Sequence, residues 1–205
     1  EQLLSFHLFT REGAAYQLRR SVPHLFYVGP YLTGRAAAIC GDTVVAGPFV
    51  SLVPVPDGLD FFYAAFERNA GGSNAWASVQ EFHFTVEQGG IGTGLQPSSI
   101  GMAPDTLVLG YPLALDMEEG ERVKVYHRDP ANLSLWVEGP GLTGMDMTGV
   151  GGFGLSVDVD GPVMVVGNYA NADLRLSVFR KSGGHWQFER QVPTAIGWYY
   201  GFLPA

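Results

Sequence analysis

One short string occurs four times along this chain. In VFRKSGGHWQF a β-rich run ends at Phe179, a basic residue follows at Lys181, and Trp186 opens the next run beyond a glycine turn. HLFTREGAAYQL repeats the pattern with Phe9, Arg11 and Tyr16, YAAFERNAGGSNAWASV with Phe66, Arg68 and Trp76, and VKVYHRDPANLSLWV with Tyr126, Arg128 and Trp136. Each reads as a hairpin, because alternating β-branched and aromatic residues suit a pleated, half-buried surface while Gly, Asn, Asp, Ser or Pro turn the chain. The closing aromatics lie 60, 60 and 50 residues apart, a spacing that belongs to stacked repeats.

A second element keeps the same phase. DTVVAGP (42–48), DTLVLGYP (105–112) and PVMVVGNY (162–169) each place a short apolar run before a glycine. Such runs predict strands covered on both faces, and the glycine allows a turn or a close backbone approach. A third element precedes each: TGRAAAICG from Thr33, SSIGMAP from Ser98 and FGLSVDVDG from Phe153. Four strands per unit of 50 to 60 residues is the sequence form of a propeller blade. Gly and Pro together make 41 of the 205 residues, a density that disfavours helical bundles, since interior Gly costs about 1 kcal/mol and Pro about 3 relative to Ala.

The segment 153–192 resembles an FG-GAP repeat, the unit of the integrin α-subunit β-propeller and of many extracellular propellers. Segments 33–83 and 97–138 are similar to it less closely: Thr33-Gly34 and Ile100-Gly101 stand at the FG pair, while Gly47-Pro48 and Gly110-Tyr111-Pro112 keep the GAP element. The resemblance implies an all-β propeller, an extracellular or cell-surface setting, and binding of a protein or glycan ligand. Phase extends the reading. Residues 1–22 carry only the second half of a unit, and IGWYYGFLPA (196–205) only an opening, with Tyr200-Gly201 at the FG position. The expectation is therefore one propeller domain over 1–205, with blades at 33–83, 97–138 and 152–192 and a fourth shared between the termini. A β-sandwich is the alternative within the class. The apolar segment LFYVGPY (25–31) lies between units, and a chain opening on Glu1 reads as a mature product or a piece of a larger propeller or assembly.

Candidate chemistry is sparse. Asp158 and Asp160 in SVDVDG invite calcium. Calcium takes six to eight oxygens, and this loop is shorter than the Asp-rich loop of calcium-binding integrin repeats, so the expectation is turn carboxylates bonding nearby amides and no cofactor. Asp116, Glu118, Glu119 and Glu121 in DMEEGE read as a solvated loop. His7, His24, His83, His127 and His185 show no metal-ligand spacing. Cys40, the single cysteine, cannot form an intrachain disulfide and follows AAAI in an expected buried strand. No G-x-S-x-G occurs, and GVGGFG (149–154) leads into a strand, lacking the helix N-terminus that would hold a phosphate. Asn132-Leu133-Ser134 is a glycosylation sequon in an expected hairpin loop.

Trp76, Trp136 and Trp186 admit two readings: platforms on which a sugar stacks, or blade-to-blade packing, which explains recurrence more simply. Arg11, Arg68, Arg128 and Lys181 read as solvated or hairpin-bracing residues. A net charge of −8 supplies no positive field for nucleic acid, and no run of about 18 apolar residues offers a membrane span. The functional expectation is a non-catalytic module binding a protein or glycan. A polysaccharide hydrolase or lyase is the competing class, and two carboxylates about 5–10 Å apart in a central pocket would favour it.

Overall fold

The computed structural model describes residues 4–12, 15–24, 36–50, 58–73, 75–87, 99–110, 123–142, 150–170 and 173–197. The described elements are all β. A hairpin, β1 (Leu4–Glu12) and β2 (Ala15–His24), precedes three four-stranded sheets. Sheet I holds β3 (Ala36–Cys40), β4 (Thr43–Val50), β5 (Gly58–Arg68) and β6 (Trp76–Glu87). Sheet II holds β7 (Ser99–Ala103), β8 (Thr106–Gly110), β9 (Val123–Arg128) and β10 (Trp136–Glu138). Sheet III holds β11 (Val150–Asp160), β12 (Val163–Ala170), β13 (Asp173–Ser182) and β14 (His185–Gly197). In every sheet each strand pairs antiparallel with the next, so sheets II and III share one strand order.

The repeat in the sequence is a repeat in register. Arg11 pairs with Tyr16, Arg68 with Trp76, Arg128 with Trp136 and Lys181 with Trp186, each directly across its hairpin. In the three sheets the basic residue's amide also bonds back to the carbonyl of the residue just before the second strand: Arg68 to Asp42, Arg128 to Asp105, Lys181 to Pro162.

Apolar faces stack the sheets. Val45, Tyr63 and Phe82 of sheet I meet Leu107, Leu109 and Tyr126 of sheet II. Burial pushes the Tyr63 phenol pKa up, so it stays protonated in this core. From the other face of sheet II, Val108 and Val125 meet Val159, Met164, Val166 and Phe179 of sheet III. Strand β8 feeds both interfaces, and all five of its residues are buried. Each Leu removed from water there contributes about 1.5–3 kcal/mol. The leading strands run beside one another, with β7 packed against both β3 and β11. At Gly110, which closes β8, there is no room for a side chain, since a Cβ would stand 2.1 Å from the Gly154 carbonyl oxygen, and at Gly167, inside β12, a Cβ would stand 2.2 Å from Ser156 Oγ.

Two expectations require adjustment. Strand β3 is not buried throughout: it is the edge of sheet I, Cys40 is half-buried, and Ile39 is 70% exposed, because only one face of this edge strand meets sheet II. Ile196 and Gly197, assigned by phase to the shared blade, end β14. The rest of that opening (198–205), LFYVGPY and DMEEGE lie outside the described residues.

Candidate functional site

The carboxylates proposed for calcium lie on one side of β11, both exposed. Asp158 Oδ1 accepts the Val159 amide at 2.9 Å, and no third His, Cys, Asp or Glu joins them among the described residues. This donor set does not fit a calcium shell of six to eight oxygens.

Trp136 and Trp186 pack between sheets, whereas Trp76 packs on an apolar cluster of sheet I alone. Trp76 and Trp136 are 5% and 3% exposed, within separate apolar clusters. The Arg128 guanidinium lies 4.0 Å from the centre of the Trp136 ring, and Lys181 Nζ lies 5.8 Å from that of Trp186. These cations also reach across to the preceding sheet. Arg128 Nη1 donates to Glu67 Oε1 at 2.7 Å and its other terminal nitrogen donates to the Thr43 hydroxyl, which itself donates to Glu67 at 2.7 Å. Lys181 reaches Asp105 at 3.4 Å. The Asp105 carboxyl titrates below its ordinary value: partial burial works the other way but is outweighed by the Thr106 hydroxyl and Lys181.

A further contact seals sheet I to sheet II. Gln80, opposite Ala65 in the ladder, turns its carboxamide onto the edge of β10, where Nε2 donates to the Trp136 carbonyl at 2.9 Å and Oε1 accepts the Trp136 amide at 2.7 Å. The main chain of Trp136 is free for this because alternate residues of an edge strand point their N–H and C=O away from the ladder.

Between sheets II and III the same position is open. Gly139 stands opposite Val125, donating its amide to that carbonyl at 2.8 Å, and Pro140 follows. Strand β10 ends at Glu138, and beyond the Gly139 bond the next pairing is the Val123–Leu142 bridge. With neither residue able to reach across, a cleft of about 210 Å³ remains, walled by Leu142, Phe179, Trp186, His127 and His185 and floored by Pro140. His127 takes the place that Glu67 has in sheet I, and its ring lies 3.2 Å from where a Cβ on Gly139 would stand. Burial, then the positive charge of Lys181, holds the His127 pKa below the ordinary 6.5, so the ring is neutral near pH 7. Among the described residues, no carboxylate lines the cleft.

Trp186 faces this opening with its main chain. The Gly183-Gly184 turn, at φ 59° and 83°, suits a two-residue hairpin closed by the Ser182–His185 pair. Lys181 and Trp186 are then a pair that exchanges no ladder bonds, consistent with the Lys181 amide bonding to Pro162 instead. The N–H and C=O of Trp186 therefore point outward from β14, the edge strand of sheet III. Among the described residues no side chain grips them as Gln80 grips Trp136, although the indole Nε1 atoms of Trp136 and Trp186 are alike in being buried without a protein hydrogen-bond partner.

A second polar cluster lies on sheet I. His83 bonds Asp60 at 2.9 Å and Glu81 at 3.1 Å and stacks on Phe62 at 5.3 Å. The Asp60 bond raises the His83 pKa, against a smaller opposing effect of burial and with help from Glu81. The His83 side chain is 49% exposed and that of Asp60 14%, as expected of a brace between strands. No family model matches the chain, and no curated protein matches it.

Proposed function

We propose that the chain is a β-propeller of four-stranded blades, related to FG-GAP repeats, that works as a non-catalytic interaction module and takes a protein or glycan ligand into the cleft between sheets II and III. Three features support the propeller: nearest-neighbour strand order in every sheet, leading strands side by side, and sheets stacked face to face. The β1–β2 hairpin supports a fourth, shared blade, because its Arg11–Tyr16 pair is in register with the basic–aromatic pairs of the third and fourth strands elsewhere.

One observation carries the binding reading. Equivalent sheet junctions are finished differently, one closed by Gln80 and the other left as a cleft with aromatic walls and outward main-chain donors and acceptors. Such a mixture of apolar wall and few directed polar groups is the composition of ligand sites. The test is a peptide and glycan array run beside a glycosidase and lyase panel, on the native chain and on His185→Ala, whose side chain is exposed at the cleft mouth. Saturable binding weakened about tenfold or more by the substitution, equivalent to about 1.4 kcal/mol, is expected. Turnover of a polysaccharide without saturable binding would reverse the reading.

A further inference from the structure

We propose that this cleft receives a primary carboxamide, the side chain of a glutamine or asparagine on a polypeptide partner. The inference rests on the binding reading and gives it a ligand chemistry. Its template is inside the molecule. Where sheet I meets sheet II, a glutamine side chain closes the junction by accepting the Trp136 amide and donating to the Trp136 carbonyl. Where sheet II meets sheet III, Trp186 occupies the corresponding place with its N–H and C=O directed outward, and the residue that should supply the glutamine is Gly139. The volume left, about 210 Å³, holds a side chain of that size together with its aliphatic stem, which Leu142 and Phe179 would cover.

Amide geometry narrows the choice. A primary carboxamide carries its oxygen and one N–H on the same side, so it can meet both groups of one residue at once. The secondary amide of an N-acetylated sugar is trans, with N–H and C=O on opposite sides, and can satisfy only one of them. A carboxylate accepts from the Trp186 amide but has no proton for its carbonyl, and the −8 charge of the chain further disfavours an acidic side chain. A partner chain can reach the site from solvent because β14 is the outer strand of its sheet. His127, which leans over Gly139 where the glutamine stem begins in sheet I, borders the space as a neutral ring.

The test follows backbone and indole amide signals of the ¹⁵N-labelled full chain while three probes are titrated: acetyl-Gly-Gln-Gly-N-methylamide, the same peptide with Glu for Gln, and N-acetylglucosamine. The expected result is a saturable shift of the Trp186 amide with the Gln peptide and neither of the others. Equal shifts with Gln and Glu peptides would overturn the carboxamide inference. A shift at Trp186 with N-acetylglucosamine alone would also overturn it while leaving the cleft a binding site, for a glycan. No shift at Trp186 or Leu142 with any probe would sink the inference, and the array separately decides whether the module binds at all. A second arm uses His127→Glu/Gly139→Gln, which rebuilds the closed junction from the chain's own residues. This variant, shown folded by its melting transition, is expected to lose the Gln-peptide shift, and retention of the shift would overturn the proposal.

Discussion

The junctions between sheets I and II and between sheets II and III are built from equivalent strands, yet one is closed and the other is open at its outer end. At the first, Arg128 is held against Glu67 and Thr43, and Gln80 covers the main chain of Trp136. At the second, the cation is Lys181 with a 3.4 Å contact to Asp105, His127 stands where Glu67 does, and Gly139 stands where Gln80 does. At its leading strands this second junction is tightly closed, for Ser99 Oγ donates to the Gly154 carbonyl at 2.8 Å and Gly101 lets β7 lie against Asp158 of β11. Both junctions share an apolar stack, and they differ in the polar residues at the end where β10 and β14 lie.

The contrast can be broken most forcefully at Arg128. Its side chain and that of Glu67 are 14% and 13% exposed, so Arg128→Ala strands a nearly buried carboxylate, and a loss of about 3 kcal/mol or more is expected in urea unfolding. Gln80→Ala should cost about 1–3 kcal/mol by leaving the Trp136 amide and carbonyl unsatisfied, read as a lower urea midpoint with unchanged slope. Moving the closed junction to the open side with His127→Glu/Gly139→Gln should gain about 1 kcal/mol, since it adds hydrogen bonds in space now empty. Lys181→Ala, at a mostly exposed partner, should change stability by less than about 1 kcal/mol. If Lys181→Ala and Arg128→Ala cost the same, the two junctions are not distinguished as described.

The smallest effect is on pH dependence, where two histidines have opposite signs. The folded His127 pKa is below the ordinary 6.5, so on acidification the unfolded chain takes up its proton first and stability falls as pH drops through 6.5 toward the folded value. The folded His83 pKa is raised, so its contribution is fully present below 6.5 and is lost as pH rises through the folded value. Imidazole shifts followed against pH should place His83 above 6.5 and His127 below it. His127→Gln should flatten the acidic limb.

Much of the architecture was readable because period and register carry it. The four basic–aromatic strings marked the hairpins whose cross-strand pairs they form, and the continuous apolar run TLVLG marked a strand covered on both faces. Edge exposure was not readable: AAAIC looks buried by composition, but its place at the edge of sheet I leaves Ile39 in water. The cleft was missed because nothing about Gly139 or His127 is unusual alone. Its signal lies in comparing repeats at one ladder position, Gln80 against Gly139 and Glu67 against His127, which requires a register that sequence spacing leaves uncertain by a residue wherever a bulge intervenes, as it does between Ala65 and Phe66.

The central claim, that equivalent main-chain groups are covered in one junction and open in the next, is tested most directly by native-state hydrogen exchange at two amides. The Trp136 amide, bonded to Gln80 Oε1, should be protected, and Gln80→Ala should abolish that protection. The Trp186 amide should exchange much faster in the same molecule and slow to the rate of Trp136 in His127→Glu/Gly139→Gln. Equal protection of Trp136 and Trp186 in the native chain would contradict the account.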